Sequence, residues 1–329
     1  MKRVLVTGAG GYIGRALAGV LLQRLRSGAI ESLTLTDLSL PGVPDSPGLR
    51  GVEGDLGRPA VLDAATASAP DTVFHLAGVT SRLAEEQFEL GLRANVAHAI
   101  ALFERLRTGG AYPVLVYASS IAVYGPPLPA AIDDDTPRSP ALSYGAQKLM
   151  METLLADYSR RGWIDARCVR LSSVVARPAQ TQVALSSFAS DLLRELSEGR
   201  PYTCPVGPDA TLWWLSLPLC VQHLLQAARI EPQALPRGRA WNLPALRATP
   251  AEVVQALCRR YGAELASRLT YAPQPALQAQ FAQWPPLRTA AAEGLGMHHD
   301  GDLDTLVARA LVPADAIQDD LPTPRGPLR

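Results

Sequence analysis

The 329 residues carry 31 basic and 31 acidic side chains, a formal net charge of zero, and 47% of them are hydrophobic. That balance leaves no basic field for nucleic acid or an anionic membrane, and no segment approaches the ~18 consecutive apolar residues of a membrane span. The start fits no signal peptide, and Cys168, Cys204, Cys220 and Cys258 are scattered without a CxxC pair; reduced thiols in a cytoplasmic, metal-free globular protein are expected.

In chain order, Lys2–Thr7 reads as a buried strand. Tyr12 to about Arg26 reads as a helix, with Ile13, Leu17, Val20, Leu21 and Leu25 at spacings of three and four. Strands are expected at Ser32–Asp37, around Val52 to Asp55, at Thr72–Leu76, at Tyr112–Tyr117 and at Ala166–Leu171. Helices are expected over Leu83–Arg107 and Tyr144–Arg161. Strands alternating with helices predict an α/β protein with a doubly wound parallel sheet. After Ser172 prolines multiply and the pattern loosens. Leu217–Ile230 reads as a helix and Ala240–Leu243 as a strand, both returning to the main sheet. The expected division is a sheet domain over 1–171 with 217–245, and a smaller mixed C-terminal lobe over 172–216 and 246–329 that binds substrate. Pro322–Arg329 reads as a loose tail.

Between the first strand and the first helix lies Thr7-Gly8-Ala9-Gly10-Gly11-Tyr12-Ile13-Gly14. Glycines at Gly8, Gly11 and Gly14 permit a tight turn, and the helix start around Tyr12 and Ile13 offers free N–H groups and a favourable dipole to a pyrophosphate. In this strand–turn–helix context the motif predicts a bound dinucleotide. Asp37 ends the second strand, where a carboxylate accepts both ribose hydroxyls of the adenosine and repels a 2′-phosphate; NAD is therefore expected over NADP. Asp55 follows the third strand, within reach of an adenine ring, or alternatively caps a helix.

These residues resemble the extended short-chain dehydrogenase/reductases, the NAD-dependent epimerase/dehydratase family. The resemblance rests on the glycine loop, Asp37, Gly54-Asp55-Leu56, His75-Leu76-Ala77-Gly78, Asn95, Ser119-Ser120-Ile121-Ala122-Val123-Tyr124-Gly125 and Tyr144-Gly145-Ala146-Gln147-Lys148. It implies a Rossmann fold and NAD. It places Asp55, Leu56, Leu76, Ala77 and Gly78 along the cofactor, and Asn95 as a support from the middle of a helix. It implies helix-paired dimers, which leaves a homodimer as one assembly. Ile132-Asp133-Asp134-Asp135, Ala156–Gly162 and Ser186-Ser187-Phe188-Ala189-Ser190 are further similar to D-erythronate dehydrogenases. That narrower resemblance implies oxidation of the C2 hydroxyl of a small sugar acid. Ser172-Ser173, Ala179 and Leu217 depart from its pattern on the substrate side and leave the acid open.

Tyr144 and Lys148 are four apart and share a helix face. A lysine ammonium and the nicotinamide charge are expected to lower the phenol's pKa, so that Tyr144 takes the proton of a substrate alcohol. Lys2 and Lys148 are the only lysines among 31 basic residues, and a lysine retained where arginine fills nearly every other position is a candidate for a role arginine cannot fill. Ser120 is expected to hold the substrate oxygen, with Ser119 in support. Arg177 is the candidate partner for a substrate carboxylate, and Thr80, Ser81, Ser186 and Ser187 are candidate hydroxyl donors. Ile121-Ala122 stand where a dehydratase needs an Asp-Glu pair. A nucleotide-sugar epimerase with tightly bound NAD remains the enzymatic alternative. A catalytically idle NAD-binding regulator is the other, against which the Tyr144–Lys148 pair speaks.

Overall fold

The computed structural model describes residues 1–178 and 187–319; Ala179, Ser186 and the tail from Pro322 lie outside them. The first half runs β1 (Arg3–Thr7), α1 (Tyr12–Arg26), β2 (Ser32–Asp37), β3 (Leu49–Glu53), α2 (Pro59–Thr66), β4 (Thr72–His75), α3 (Ser81–Glu86), α4 (Phe88–Leu92), a π-helical turn (Arg93–Ala97) and α5 (His98–Thr108). It continues with β5 (Val114–Ser120), α6 (Ser143–Arg160) and β6 (Asp165–Leu171). The second half holds β7 (Ser173–Val174), α7 (Phe188–Ser197), β8 (Tyr202–Cys204), β9 (Leu212–Leu215), α8 (Leu217–Ala227), β10 (Ala240–Asn242), β11 (Leu246–Ala248) and α9 (Pro250–Tyr261). Then come β12 (Leu269–Tyr271), α10 (Pro275–Phe281), α11 (Ala290–Gly294) and α12 (Leu303–Ala310).

Seven strands form the main sheet in the order β10-β6-β5-β4-β1-β2-β3, and every pairing in it is parallel. Strand order reverses between β1 and β4, so a crevice opens beyond their carboxyl ends. Alternation along each strand decides which layer its side chains join. Val4, Val6, Phe74, Val116, Val169 and Trp241 pack against α1 and α8 on one face. Leu5, Val73, Leu115, Tyr117, Ala166 and Cys168 pack against α5 and α6 on the other. The sheet is doubly wound, as expected.

A separate cluster, built from Phe188, Leu192, Leu212, Trp214, Val253, Leu257 and Leu306, joins α7, α9 and α12 to β9. Its sheets are short: β11-β9-β7, with one antiparallel and one parallel pairing, and β12-β8. Trp213 points to the opposite side of β9 from Trp214 and packs with Ile121, Val123, Tyr124 and Trp284. That small cluster ties the turn after β5 to the lobe and fixes the far wall of the crevice.

The structure amends several expected boundaries. The helix over Leu83–Arg107 is broken at Gln87 and widened by the π-turn. The strand expected from Tyr112 starts at Val114, because Tyr112 takes a positive φ of 44°, and it runs on to Ser120. The third strand ends at Glu53, two residues before Asp55. Part of the segment assigned to the lobe returns to the sheet layer: Ala292, Met297 and Ile317 join the cluster around α1 and α8, and Arg24 of α1 pairs with Asp319 at 2.5 Å.

Candidate active site

The glycine loop closes on itself and on the strand beside it. Gly8 has φ +73°, and a Cβ there would sit 2.6 Å from the Ala77 backbone nitrogen. A Cβ on Gly14 would lie 2.0 Å from the Gly8 carbonyl oxygen. The loop therefore packs against α1 and the segment after β4 only with hydrogen at both positions. Gly14→Ala is expected to shift the backbone here, destabilising the fold by ~1–3 kcal/mol and weakening NAD binding; thermal melting with and without NAD measures both.

Beyond this loop opens a cavity of about 370 Å³. Its wall includes Gly8, Gly11, Tyr12, Ile13, Gly14, Leu76, Gly78, Thr80, Ser81, Ser120, Tyr144, Lys148, Arg177 and Ser187 from the expected set. The first turn of α1 faces it with no side-chain cap, so its leading N–H groups lack intrahelical partners. A bare helix start flanked by glycine is the chemistry a pyrophosphate needs, and the residues present fit a dinucleotide.

Five expected residues stand off the wall. Asp37 accepts the Gly10 N–H at 2.8 Å and the Leu38 N–H at 2.7 Å, which locks the glycine loop to the end of β2. Asp55 accepts the Gly57 N–H at 3.0 Å and lies 3.2 Å from Nδ1 of His98. The Leu56 side chain is buried in the core under α5, rather than turned to the crevice. Ala77 backs Gly8. Asn95, in the π-turn, accepts the Val79 N–H at 2.9 Å and donates to the Val79 carbonyl at 3.1 Å and to Gln147 Oε1 at 2.7 Å. It thereby fastens the segment after β4 to the turn of α6 that carries Lys148.

Tyr144, Lys148 and Ser120 meet where α6 crosses the end of β5. Lys148 is buried; its Nζ donates to the Ala118 carbonyl at 2.8 Å and sits 4.7 Å above the Tyr117 ring and 5.6 Å from the Tyr144 ring centre. Burial pulls the Lys148 ammonium down to about 8, against the opposing pull of Cys168 and Glu152. His75, packed beneath on β4 and stacked on Tyr117, is held neutral by burial at about 3. The Ser120 hydroxyl accepts the Ala122 N–H at 3.1 Å and caps the short turn after β5.

One expectation about this centre is corrected. Burial raises the Tyr144 phenol above its ordinary value, and the groups that pull it back are the Arg177 guanidinium and the Ser120 hydroxyl. Lys148 Nζ sits 5.6 Å from the centre of the Tyr144 ring and is not among the groups that draw the phenol down. Arg177 rests over the Tyr12 ring at 5.7 Å, and its Nε is buried without a partner. Tyr12 in turn donates to the Val175 carbonyl at 2.6 Å, so α1 props the segment bearing Arg177.

Sequence reasoning passed over a buried network behind this wall. Glu152 accepts both Nε and Nη2 of Arg170, at 2.9 and 2.8 Å, and the Ser119 hydroxyl at 2.5 Å. Arg170 Nη1 donates to the Tyr124 hydroxyl at 3.0 Å, and Tyr124 meets Asn242 of β10. The available signal was spacing: Tyr144, Lys148 and Glu152 recur every four residues on one face of α6.

The NAD dependent epimerase/dehydratase family matches residues 4–213, from β1 into the lobe. The chain belongs to that family. It is an NAD-dependent oxidoreductase of the Rossmann type. It is similar to a D-erythronate dehydrogenase of Cupriavidus necator, 40% identical over 92% of this chain and 96% of that protein. A second D-erythronate dehydrogenase, from Haemophilus influenzae, is 30% identical over 93% and 97%. Among solved structures, a nucleoside-diphosphate-sugar epimerase from Agrobacterium tumefaciens superposes with a TM-score of 0.87 at 31% identity, covering 93% of this chain and 92% of that one. Among the described residues no helix is long and apolar enough to cross a membrane.

Proposed function

We propose that this protein oxidises the C2 hydroxyl of a small sugar acid, D-erythronate being the first candidate, to the 2-keto acid. The observation that carries this reading is the charge of the cavity wall. Lys148 and Arg177 are its charged groups, both cations, and no acidic side chain lines it among the described residues. A carboxylate is attracted to such a site, and a guanidinium with its Nε unpartnered is built for a two-pronged pair.

In this reading the loop from Gly8 to Gly14 holds the pyrophosphate and Asp37 the adenosine ribose. Asp55, Leu76, Ala77 and Gly78 flank the cofactor, with the buried Leu56 holding Asp55 from behind and Asn95 in support. Bound NAD supplies a hydride acceptor and a positive charge beside the phenol. Ser120 holds the substrate oxygen, and Tyr144 takes the alcohol proton while Lys148 stabilises the resulting phenolate. Arg177 grips the carboxylate, and Thr80 is placed to meet a hydroxyl. Asp37→Ser is expected to reduce the preference for NAD over NADP by tenfold or more, read as the ratio of kcat/KM for the two; an unchanged ratio would take Asp37 off the ribose.

Incubation with NAD and a panel of four- to six-carbon sugar acids, followed by NADH absorbance, tests the proposal. Stoichiometric NADH with D-erythronate supports it. The epimerase structure favours a second reading, in which nucleotide sugars are interconverted with no net NADH. Turnover of a nucleotide sugar without NADH, together with silence across the acids, would replace the first reading with the second.

A further inference from the structure

We propose that Glu152, clamped by Arg170 and Ser119, is a positioning residue that holds the charge of Lys148 and the set of Ser120 in the catalytic centre. This rests on the reading of Tyr144 and Lys148 as the catalytic pair. Ser119 and Arg170 are cross-strand partners at the ends of β5 and β6, and both reach the same carboxylate. Glu152 thus bolts three elements together one residue from Ser120 and one helical turn from Lys148.

The groups facing Lys148 leave Glu152 as its counter-charge. Tyr144 shares its helix face, and burial raises that phenol. On β5, Tyr117 is buried and held as a neutral phenol; on β6, Cys168 is buried and held as a neutral thiol; on β4, His75 is neutral. The remaining charges are the Arg177 cation on the same cavity wall, and Glu152 and Arg170, with 5% and 3% of their side chains exposed. Cys168 and then Glu152 raise the Lys148 ammonium against burial; with the thiol held neutral, Glu152 is the anion of the two, and Arg170 is paired to it. Buried charges act at low effective dielectric, so this anion, one turn along α6, opposes the burial that draws the Lys148 proton off.

The chain's composition makes the test direct. Only Lys2 and Lys148 are lysines, so protein labelled with ¹³C-lysine gives two side-chain NMR signals. Lys2, paired with Glu31 at the surface, serves as the internal reference. In the unaltered protein the Lys148 signal is expected to titrate at about 8. In Glu152→Gln its midpoint is expected to fall by about one unit or more, with Lys2 unmoved. The alkaline limb of kcat/KM should follow it down, and kcat should fall further than KM changes. Glu152→Asp, which keeps the charge, is expected to restore most of the midpoint.

Glu152→Gln leaves Arg170 buried without an anion, which by itself destabilises a fold. If that variant does not fold, Glu152→Gln/Arg170→Met decides, with a smaller fall of the Lys148 midpoint expected. A midpoint within about 0.3 units of the original in the folded variant would overturn the proposal and leave Glu152 a structural residue only. The titration needs no substrate. Failure of the sugar-acid panel, or an active Tyr144→Phe, would sink the catalytic reading without touching this measurement.

Discussion

Tyr144→Phe is expected to lower kcat by ~10²–10⁴-fold while leaving NAD affinity within a few-fold. The substitution removes one oxygen and keeps the ring against Lys148, so the wall of the cavity stays in place. What it removes is the proton acceptor. The free protein holds Tyr144 as a neutral phenol, because burial outweighs the pull of Arg177 and Ser120. The basic form therefore becomes accessible at near-neutral pH only when further positive charge enters the cavity, as bound NAD supplies. Two consequences distinguish this account from a purely steric role for the ring. The activity of the unaltered enzyme should rise with pH as the phenol of the NAD complex ionises, then fall as Lys148 loses its proton. The residual activity of Tyr144→Phe should lack the rising limb. Rates are followed as NADH absorbance across pH 5–10, with NAD binding measured separately by calorimetry. A variant with full kcat would remove Tyr144 from the chemistry.

The parts of this centre that were legible in the sequence are those in which a residue type is needed for a local reason. Gly8 and Gly14 admit no Cβ, and the loop they form sits between a strand and a helix whose periodicities are strong. The sheet could be read from its centre, where β1 and β5 are buried on both faces and appear as apolar runs. The network of Glu152, Arg170, Ser119 and Tyr124 escaped for the opposite reason. Its members are far apart in sequence, from Ser119 to Asn242, and each alone looks like an ordinary polar residue. Arg170 does not stand out in its own strand, because β6 also carries Asp165 and Arg167. In a chain where arginine fills 29 of 31 basic positions, one more arginine in that strand carries no signal of its own.

The lobe was illegible at the level of elements because its strands are too short to show a period of two. β7 has two residues, and β8, β11 and β12 three each. Trp213 and Trp214 are both fully buried, on opposite faces of β9, which hides any alternation. Helix α2 was missed because only Ala65 of its eight residues is buried. The π-turn at Asn95 left no signal of its own; its helical spacing continues through α4 and α5, and only the tertiary bonds to Val79 and Gln147 show what the extra residue accomplishes.

Arg177→Ala is expected to raise KM for the acid substrate by tenfold or more, and to do something a simple loss of a binding contact would not. The guanidinium, ahead of the Ser120 hydroxyl, draws the Tyr144 phenol down against the effect of burial. Without it the phenol ionises at higher pH, so the rising limb of kcat/KM should move to higher pH in the same variant. Arg177→Lys separates the two effects. An ammonium restores part of the electrostatic pull on Tyr144 but cannot present two parallel N–H donors to a carboxylate or stack flat over Tyr12. Its pH profile should return toward the original while KM stays raised. Charge-assisted pairs in partly buried sites are worth ~1.5–3 kcal/mol, which corresponds to roughly ten- to hundredfold in KM and is well within measurement. If Arg177→Ala changed neither KM nor the pH profile, the anion would have to be held elsewhere on the wall, and Lys148 would be the one remaining cation among its described residues. A single buried lysine already committed to the Ala118 carbonyl and the Tyr117 ring is a poor carboxylate anchor. That outcome would therefore turn the search from acids toward neutral alcohols, and it would do so without altering the case for Tyr144 as the base.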